Sequence, residues 1–103
     1  MENRIIVFLK YDCPTCELVR PLLADIQKNI SSLEIIVQDD PKLFPGLVVQ
    51  EDKDLKISFK HKIEIVPTIL KMEKGLETER IIGWNKREWA EIFQFSEENY
   101  KLP

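Results

Sequence analysis

The hexapeptide Tyr11–Cys16 constrains this chain most, because it contains both of its cysteines. It follows a continuous apolar run, Arg4–Lys10, of the kind that a buried strand shows. After it, apolar residues recur with the spacing of a helix that begins near Pro14, and proline is well tolerated in a first helical turn. The two cysteines are therefore expected in the first turn of a helix that comes directly after a strand.

This position favours redox chemistry. The unpaired amides and the positive dipole end of a helix N-terminus stabilise an anion, so we expect the thiolate form of Cys13 to be accessible near neutral pH. Cys16, three positions later, is within reach of a mixed disulfide formed on Cys13. We interpret Cys13 as the nucleophile and Cys16 as the resolving cysteine. The blander alternative is that both are small buried hydrophobic side chains.

Composition limits the other possible functions. The 103 residues, 44% of them hydrophobic, are enough for one core, so residues 1–103 are expected to form a single domain. The net charge is −3, and the acidic and basic residues are spread along the chain without a basic cluster, which argues against nucleic-acid binding. No signal-peptide pattern and no apolar run of about 20 residues is present, so we expect a soluble, cytoplasmic, monomeric protein with no membrane contact. Zinc needs about four ligands, whereas only His61 would add a nitrogen to the two thiols, so neither a metal nor a cofactor is predicted.

Strand and helix patterns alternate in the order β-α-β-α-β-β-α. This order predicts an α/β fold with a four-stranded mixed sheet flanked by helices. The predicted strands are Arg4–Lys10, Leu33–Gln38, Thr68–Met72 and Thr78–Ile82. The predicted helices are Pro14–Asn29 with a kink at Pro21, roughly Asp52–His61 with Leu55 and Phe59 on one face, and a last helix from a capping Asn85 to about Glu97. The segment Asp39–Gln50 is not assigned, although part of it must be buried.

Several of these motifs together resemble the thioredoxin superfamily. Cys13-Pro14-Thr15-Cys16 follows a strand, and Pro21 falls where thioredoxins have a helix-bending proline. Ile65-Val66-Pro67-Thr68 looks like the cis-proline segment of the family, and Gly75 and Gly83 follow at a thioredoxin-like spacing. The resemblance implies a thioredoxin fold of glutaredoxin-like size. It also implies a thiol-disulfide oxidoreductase that acts on a disulfide-bearing protein.

The resemblance also suggests roles for residues around the cysteines. Pro67 would have a cis peptide bond beside the thiols and would leave the backbone of Val66 free to pair with a substrate strand. Pro67 could instead be an ordinary proline at the start of a strand, and Trp84 a simple hydrophobic plug. The further residues expected to contact substrate are Tyr11, Pro14, Thr15 and Trp84.

Two departures from the family pattern and one match bear on function. Val7 stands where thioredoxin has a buried carboxylate, so deprotonation of Cys16 must rely on water or another side chain. Lys10 matches a lysine that glutaredoxins use for glutathione and would favour the thiolate of Cys13, whereas Asp12 would oppose it. Lys10 could equally be a solvated residue at the end of a strand.

The second departure concerns glutathione. The segment 82–86 lacks the Gly-Gly and the Asp that glutaredoxins use to hold it. A glutathione-dependent reductase is therefore the first alternative function, and a redox-sensing adaptor without turnover is the second. In the leading interpretation a reductase or glutathione supplies the electrons.

Overall fold

The computed structural model describes residues 3–96, 98–100 and 102–103. Its centre is strand β1, Arg4–Leu9, in which every residue after Arg4 is buried. Ile5, Val7 and Leu9 belong to one apolar cluster, and Ile6 and Phe8 belong to a second. A strand with apolar partners on both faces can lie only in the interior of a sheet.

β1 pairs with two neighbours of opposite direction. Strand β2, Leu33–Val37, is parallel to it, and strand β4, Thr68–Glu73, is antiparallel to it on the other side. The sheet has five strands in the order β3-β2-β1-β4-β5. The remaining elements are α1 (Pro14–Asn29), β3 (Gln50–Glu51), α2 (Lys56–Lys60), β5 (Leu76–Ile82) and α3 (Lys86–Phe93).

Helices cover both faces of this sheet. Buried side chains of α1 and α3, including Val19 and Trp89, share a cluster with Val7 of β1. On the opposite face, Ile57 of α2 packs on the cluster that contains Phe8. Among the described residues, no helix is long and apolar enough to cross a membrane. The α/β architecture is therefore confirmed, and the sheet lies between two helical layers.

The predicted sheet of four strands is wrong by one strand. Gln50 and Glu51 pair with Ile36 and Val37 and add the short edge strand β3. Two polar, exposed residues show no apolar alternation, so this strand has no signal in the sequence.

The second predicted helix, Asp52–His61, is also only partly correct. A 3₁₀ turn at Lys53–Leu55 comes first, and α2 begins after Asp54 and Leu55, which both have left-handed backbone angles. Leu55 lies before the helix and is 38% exposed, and Phe59 within the helix is 77% exposed, so these two residues do not form the predicted buried face. Asp52 is instead a buried cap whose carboxylate accepts hydrogen bonds from the amides of Ile57 and Ser58.

The two long helices match their predicted starts. α1 has the predicted bounds and runs through Pro21 without interruption, and the kink there stays a prediction. The amide of Glu88 donates to the Asn85 side chain at 3.0 Å, which is the predicted N-terminal cap of α3. α3 ends earlier than expected, at Phe93, because Gln94 is left-handed; the predicted end at Glu97 lies outside the described residues.

The unassigned segment 39–50 packs against the start of α1. Phe44 is buried, and its ring meets that of Tyr11 edge-on with centroids 6.2 Å apart. The guanidinium of Arg20 lies 5.7 Å from the centroid of Tyr11 and 5.8 Å from that of Phe44. Further along the segment, the Gln27 side chain of α1 donates a hydrogen bond to the carbonyl of Val48 and accepts one from its amide.

This packing predicts that Phe44→Ala destabilises the protein by about 3 kcal/mol, because truncating a buried phenylalanine removes apolar burial and leaves a cavity. The matched control is Leu43→Ala, since Leu43 is the neighbouring apolar residue but is exposed. Urea unfolding of both variants measures the two free energies. Equal losses in both would mean that Phe44 does not anchor the segment.

Candidate active site

Cys13 is the N-cap residue of α1. Its extended backbone precedes the helix, and its Sγ accepts a hydrogen bond from the amide of Cys16 at 3.1 Å. The side chain is half-buried, so the sulfur is held at the helix start and can still be reached from solvent. A sulfur at this position receives one of the helix amides that have no partner within the helix.

Cys16 lies one turn into the helix and is fully buried. Burial, followed by the hydrogen bond between the two thiols, raises the pKa of Cys16 to about 12, although the backbone amide of Lys10 opposes the shift. Both cysteines are free thiols in the structure. The pair is therefore asymmetric: Cys13 is accessible, whereas Cys16 is buried and protonated at neutral pH.

The segment before β4 lies against Cys13. The Cys13 thiol donates a hydrogen bond to the carbonyl oxygen of Val66 at 3.6 Å. The peptide bond between Val66 and Pro67 is cis. The segment is fixed from both sides, since the Thr68 hydroxyl donates to the carbonyl of Ile65 and the amide of Gly83 donates to the carbonyl of Pro67. Val66 and Pro67 thus lie beside the nucleophile candidate.

Trp84 follows Gly83 and is half-buried. Its ring meets the ring of Trp89 edge-on with centroids 5.0 Å apart, and the Trp89 indole N–H donates to the carbonyl of Gly83 at 2.9 Å. Since the amide of Gly83 is hydrogen-bonded to the carbonyl of Pro67, this loop lies at the same end of the sheet as the cysteines. Part of the Trp84 ring packs as a core residue, and part of it is available on the surface.

The other predicted site residues surround the helix start. The carbonyl of Tyr11 accepts from the amide of Cys13 at 2.9 Å, and its ring is 48% exposed. Pro14 is exposed at the first helical position, and Thr15 is half-buried. Lys10 and Asp12 are exposed on the connection from β1. Their proposed effects on the thiolate of Cys13 stay predictions.

Sequence reasoning missed Asp39. Its Oδ2 accepts a hydrogen bond from the amide of Tyr11 at 2.9 Å, and its charge contributes to the raised pKa of Cys16. The signal was available in principle, since Asp39 directly follows the predicted strand Leu33–Gln38 and the carboxyl ends of parallel strands meet at one end of a sheet.

Comparison with solved structures shows which known fold this arrangement of strands and helices has. The chain has the thioredoxin fold, so the resemblance to the thioredoxin superfamily is confirmed at the level of the fold. No protein-family model and no curated protein matches the sequence.

Three solved structures illustrate the likeness. The exposed lipoprotein thioredoxin Etrx1 of Streptococcus pneumoniae is 15% identical, with a TM-score of 0.74 and coverage of 90% of this chain and 84% of that one. StoA of Bacillus subtilis is also 15% identical, with a TM-score of 0.71 and coverage of 90% and 82%. Fasciola hepatica thioredoxin is 19% identical, with a TM-score of 0.66 and coverage of 90% and 79%. These identities are low, so the likeness concerns the fold.

The asymmetry of the cysteines predicts selective alkylation. Iodoacetamide at neutral pH should modify Cys13 of the reduced, folded protein and spare Cys16, because Cys16 is buried and its pKa is raised to about 12. Peptide mass spectrometry locates the label, and the same protein unfolded in urea is the control in which both thiols react. Equal labelling of both cysteines in the folded protein would contradict the assigned burial.

Proposed function

We propose that this protein is a thiol-disulfide oxidoreductase that exchanges electrons with a protein disulfide through Cys13 and Cys16. The arrangement of the two sulfurs carries the proposal. Sγ of the half-buried Cys13 accepts a hydrogen bond from the Cys16 amide at 3.1 Å and lies next to the Val66 carbonyl. The buried Cys16 thiol is hydrogen-bonded to the Cys13 thiol. The likeness in fold to thioredoxins supports the same class of reaction.

The first step uses Cys13. Its thiolate attacks one sulfur of the partner's disulfide, and the other sulfur leaves as a thiolate. The Cys16 amide stabilises the attacking sulfur as an anion, because a charge-assisted hydrogen bond is stronger than a neutral one. The product is a mixed disulfide between Cys13 and the partner.

The second step uses Cys16. Its sulfur attacks Sγ of Cys13, the partner leaves with its second sulfur as a thiol, and the protein is left with a Cys13–Cys16 disulfide. Two electrons have then passed from the dithiol to the partner. Because Cys16 is fully buried, Cys13 is the cysteine that a large partner can reach first. A reductase or glutathione would return the protein to the dithiol form.

The surroundings of Cys13 favour a protein as the partner. The backbone of Val66 lies beside the sulfur, where an extended segment could add to it by backbone hydrogen bonds. Apolar surface lies next to this position, since Ile65, which precedes Val66, is 56% exposed and Trp84 of the neighbouring loop is half-buried. A disulfide whose flanking residues are apolar and extended would match this surface. The cytoplasmic location, the monomeric state and the identity of the electron donor stay predictions.

Cysteine variants test the two steps separately. In dithiothreitol-dependent reduction of insulin, Cys13→Ser should abolish activity, because Cys16 cannot reach the substrate. Cys16→Ser should also stop turnover, but it should trap a covalent adduct that disappears on reduction and is visible by mass spectrometry. Activity that survives in Cys13→Ser would rule out the proposed mechanism.

Lys10→Ala separates this function from a glutathione-dependent one. We expect insulin reduction to change by less than about fivefold, since Lys10 is exposed and a single exposed charge contributes little. A glutathione enzyme would instead show a raised KM for glutathione mixed disulfides in Lys10→Ala and would retain activity in Cys16→Ser. Lys28→Ala, an exposed lysine in the last turn of α1, is the control for a general charge effect.

A further inference from the structure

We propose that the carboxylate of Asp39 is the proton acceptor for Cys16 when the mixed disulfide is resolved. This inference rests on the proposed function and adds a residue to its second step. It explains how the thiol of Cys16, which is fully buried, becomes a nucleophile.

The fold brings Asp39 to the start of α1. The amide of Gln38 donates to the carbonyl of Leu9 at 2.9 Å, which extends the pairing of β2 with β1 past the last strand residue. The next residue is Asp39, and its Oδ2 accepts the amide of Tyr11 at 2.9 Å. The carboxylate is thus fixed to the connection that leads from β1 into Cys13.

Cys16 is attached to the same connection from the helix side. Its amide donates to Sγ of Cys13 at 3.1 Å, and the amide of Cys13 donates to the carbonyl of Tyr11 at 2.9 Å. Cys16, through Cys13, and Asp39, through the Tyr11 amide, are therefore held at the same short connection. The charge of Asp39 contributes to the raised pKa of Cys16, as a nearby carboxylate should.

One oxygen of the carboxylate is free to take the proton. Oδ2 holds the Tyr11 amide, whereas Oδ1 is buried and is the one buried side-chain oxygen or nitrogen among the described residues that has no hydrogen-bond partner. Leaving a buried acceptor unpaired costs roughly 1–3 kcal/mol, so such an atom calls for an explanation. Accepting a proton from Cys16 during each turnover is that explanation.

The charged groups around Asp39 are few. The connection from β1 contributes Lys10 and Asp12, both exposed, and α1 contributes the two thiols and Arg20. The Arg20 guanidinium is engaged with the Tyr11 and Phe44 rings and the Leu43 carbonyl. The neighbouring Asp40 is exposed and caps the turn at Pro41 through the amide of Lys42. Asp39 is therefore the carboxylate of this group that combines a fixed position with a buried free oxygen.

Resolution of the mixed disulfide begins with transfer of a proton from Cys16 to Asp39. The S–H bond of Cys16 breaks, its proton moves to Oδ1 of Asp39 directly or through one water molecule, and the sulfur keeps the electron pair. The thiolate then forms a bond to Sγ of Cys13 while the bond from Cys13 to the partner's sulfur breaks. The partner leaves as a thiolate, and the proton returns from Asp39 to that sulfur or to solvent.

Single-turnover reduction of 5,5′-dithiobis(2-nitrobenzoate) separates the two steps. Attack by Cys13 releases the first thionitrobenzoate, and resolution by Cys16 releases the second, so stopped-flow absorbance shows two phases. Asp39→Asn keeps an oxygen for the Tyr11 amide but removes the base. We expect it to slow the second phase by about 10²-fold at neutral pH, the size of a general-base effect, and to leave the first phase within about threefold. Asp40→Asn is the matched control and should change neither phase by more than that.

The sign of the effect distinguishes catalysis from simple electrostatics. Asp39→Asn removes a negative charge and should lower the pKa of Cys16. If the charge acted only through that pKa, the variant would resolve the mixed disulfide faster. An unchanged or faster second phase would therefore overturn the proposal, whereas a first phase that survives in Cys13→Ser would overturn the proposed function itself.

A measurement on the unmodified protein covers the case in which Asp39→Asn does not fold. With a built-in base, the second-phase rate should level off well below pH 12, which is about the pKa of Cys16. A rate that climbs about tenfold per pH unit up to that pH would show that hydroxide, not Asp39, removes the proton.

Discussion

The hydrogen bond from the Cys16 amide to Sγ of Cys13 is the interaction on which the site depends. It requires that α1 begin directly after Cys13, and Pro14 at the first helical position favours that start, because its missing N–H would have no partner there. Serine, threonine, asparagine and aspartate are the preferred side chains at such a cap. A cysteine there gives the helix a weaker cap and places a sulfur where it accepts a hydrogen bond from a helix amide that has no partner within the helix.

The topology of the sheet explains why distant segments meet at this sulfur. β1 and β2 are parallel, so their carboxyl ends, Leu9 and Val37, lie side by side. β4 is antiparallel to β1, so its first residue, Thr68, pairs with Phe8 at the same edge. Cys13, Asp39 and Pro67 therefore converge because each lies just beyond this edge. The candidate site therefore lies at this one end of the sheet.

The sequence predicted those parts of the fold that are determined by interactions between residues close together in the chain. The bounds of α1 follow from one proline, one spacing of apolar residues and the two serines, Ser31 and Ser32, that interrupt it, and the structure has these bounds unchanged. The short strand β3 and the break before α2 could not be found in this way. β3 exists only through its pairing with Ile36 and Val37, and the break depends on the left-handed backbone at Asp54 and Leu55, where no glycine signals it.

The same distinction applies to the site. Cys13 and Cys16 are adjacent on one helix, so their spacing was enough to assign them as a pair, and Pro67 was identified through its sequence motif. Asp39 approaches Cys16 only through the register of β1 with β2, which a single sequence does not specify at residue level. Tyr11 and Phe44 meet in the same long-range way, which is why segment 39–50 could not be assigned to an element.

A comparison of positions 39 and 7 shows why a carboxylate is better accommodated at the end of the sheet than in the middle of β1. Val7 is fully buried in the middle of β1 and belongs to an apolar cluster to which α1 also contributes, so a carboxylate there would lose its hydration among apolar side chains. At position 39 the strand pairing has ended, and the amide of Tyr11 donates to one carboxylate oxygen. Asp39 is also only half-buried, whereas Val7 is fully buried. A carboxylate at the end of the sheet thus has a hydrogen-bond donor and partial contact with solvent, while the centre of β1 stays apolar and contributes to the core.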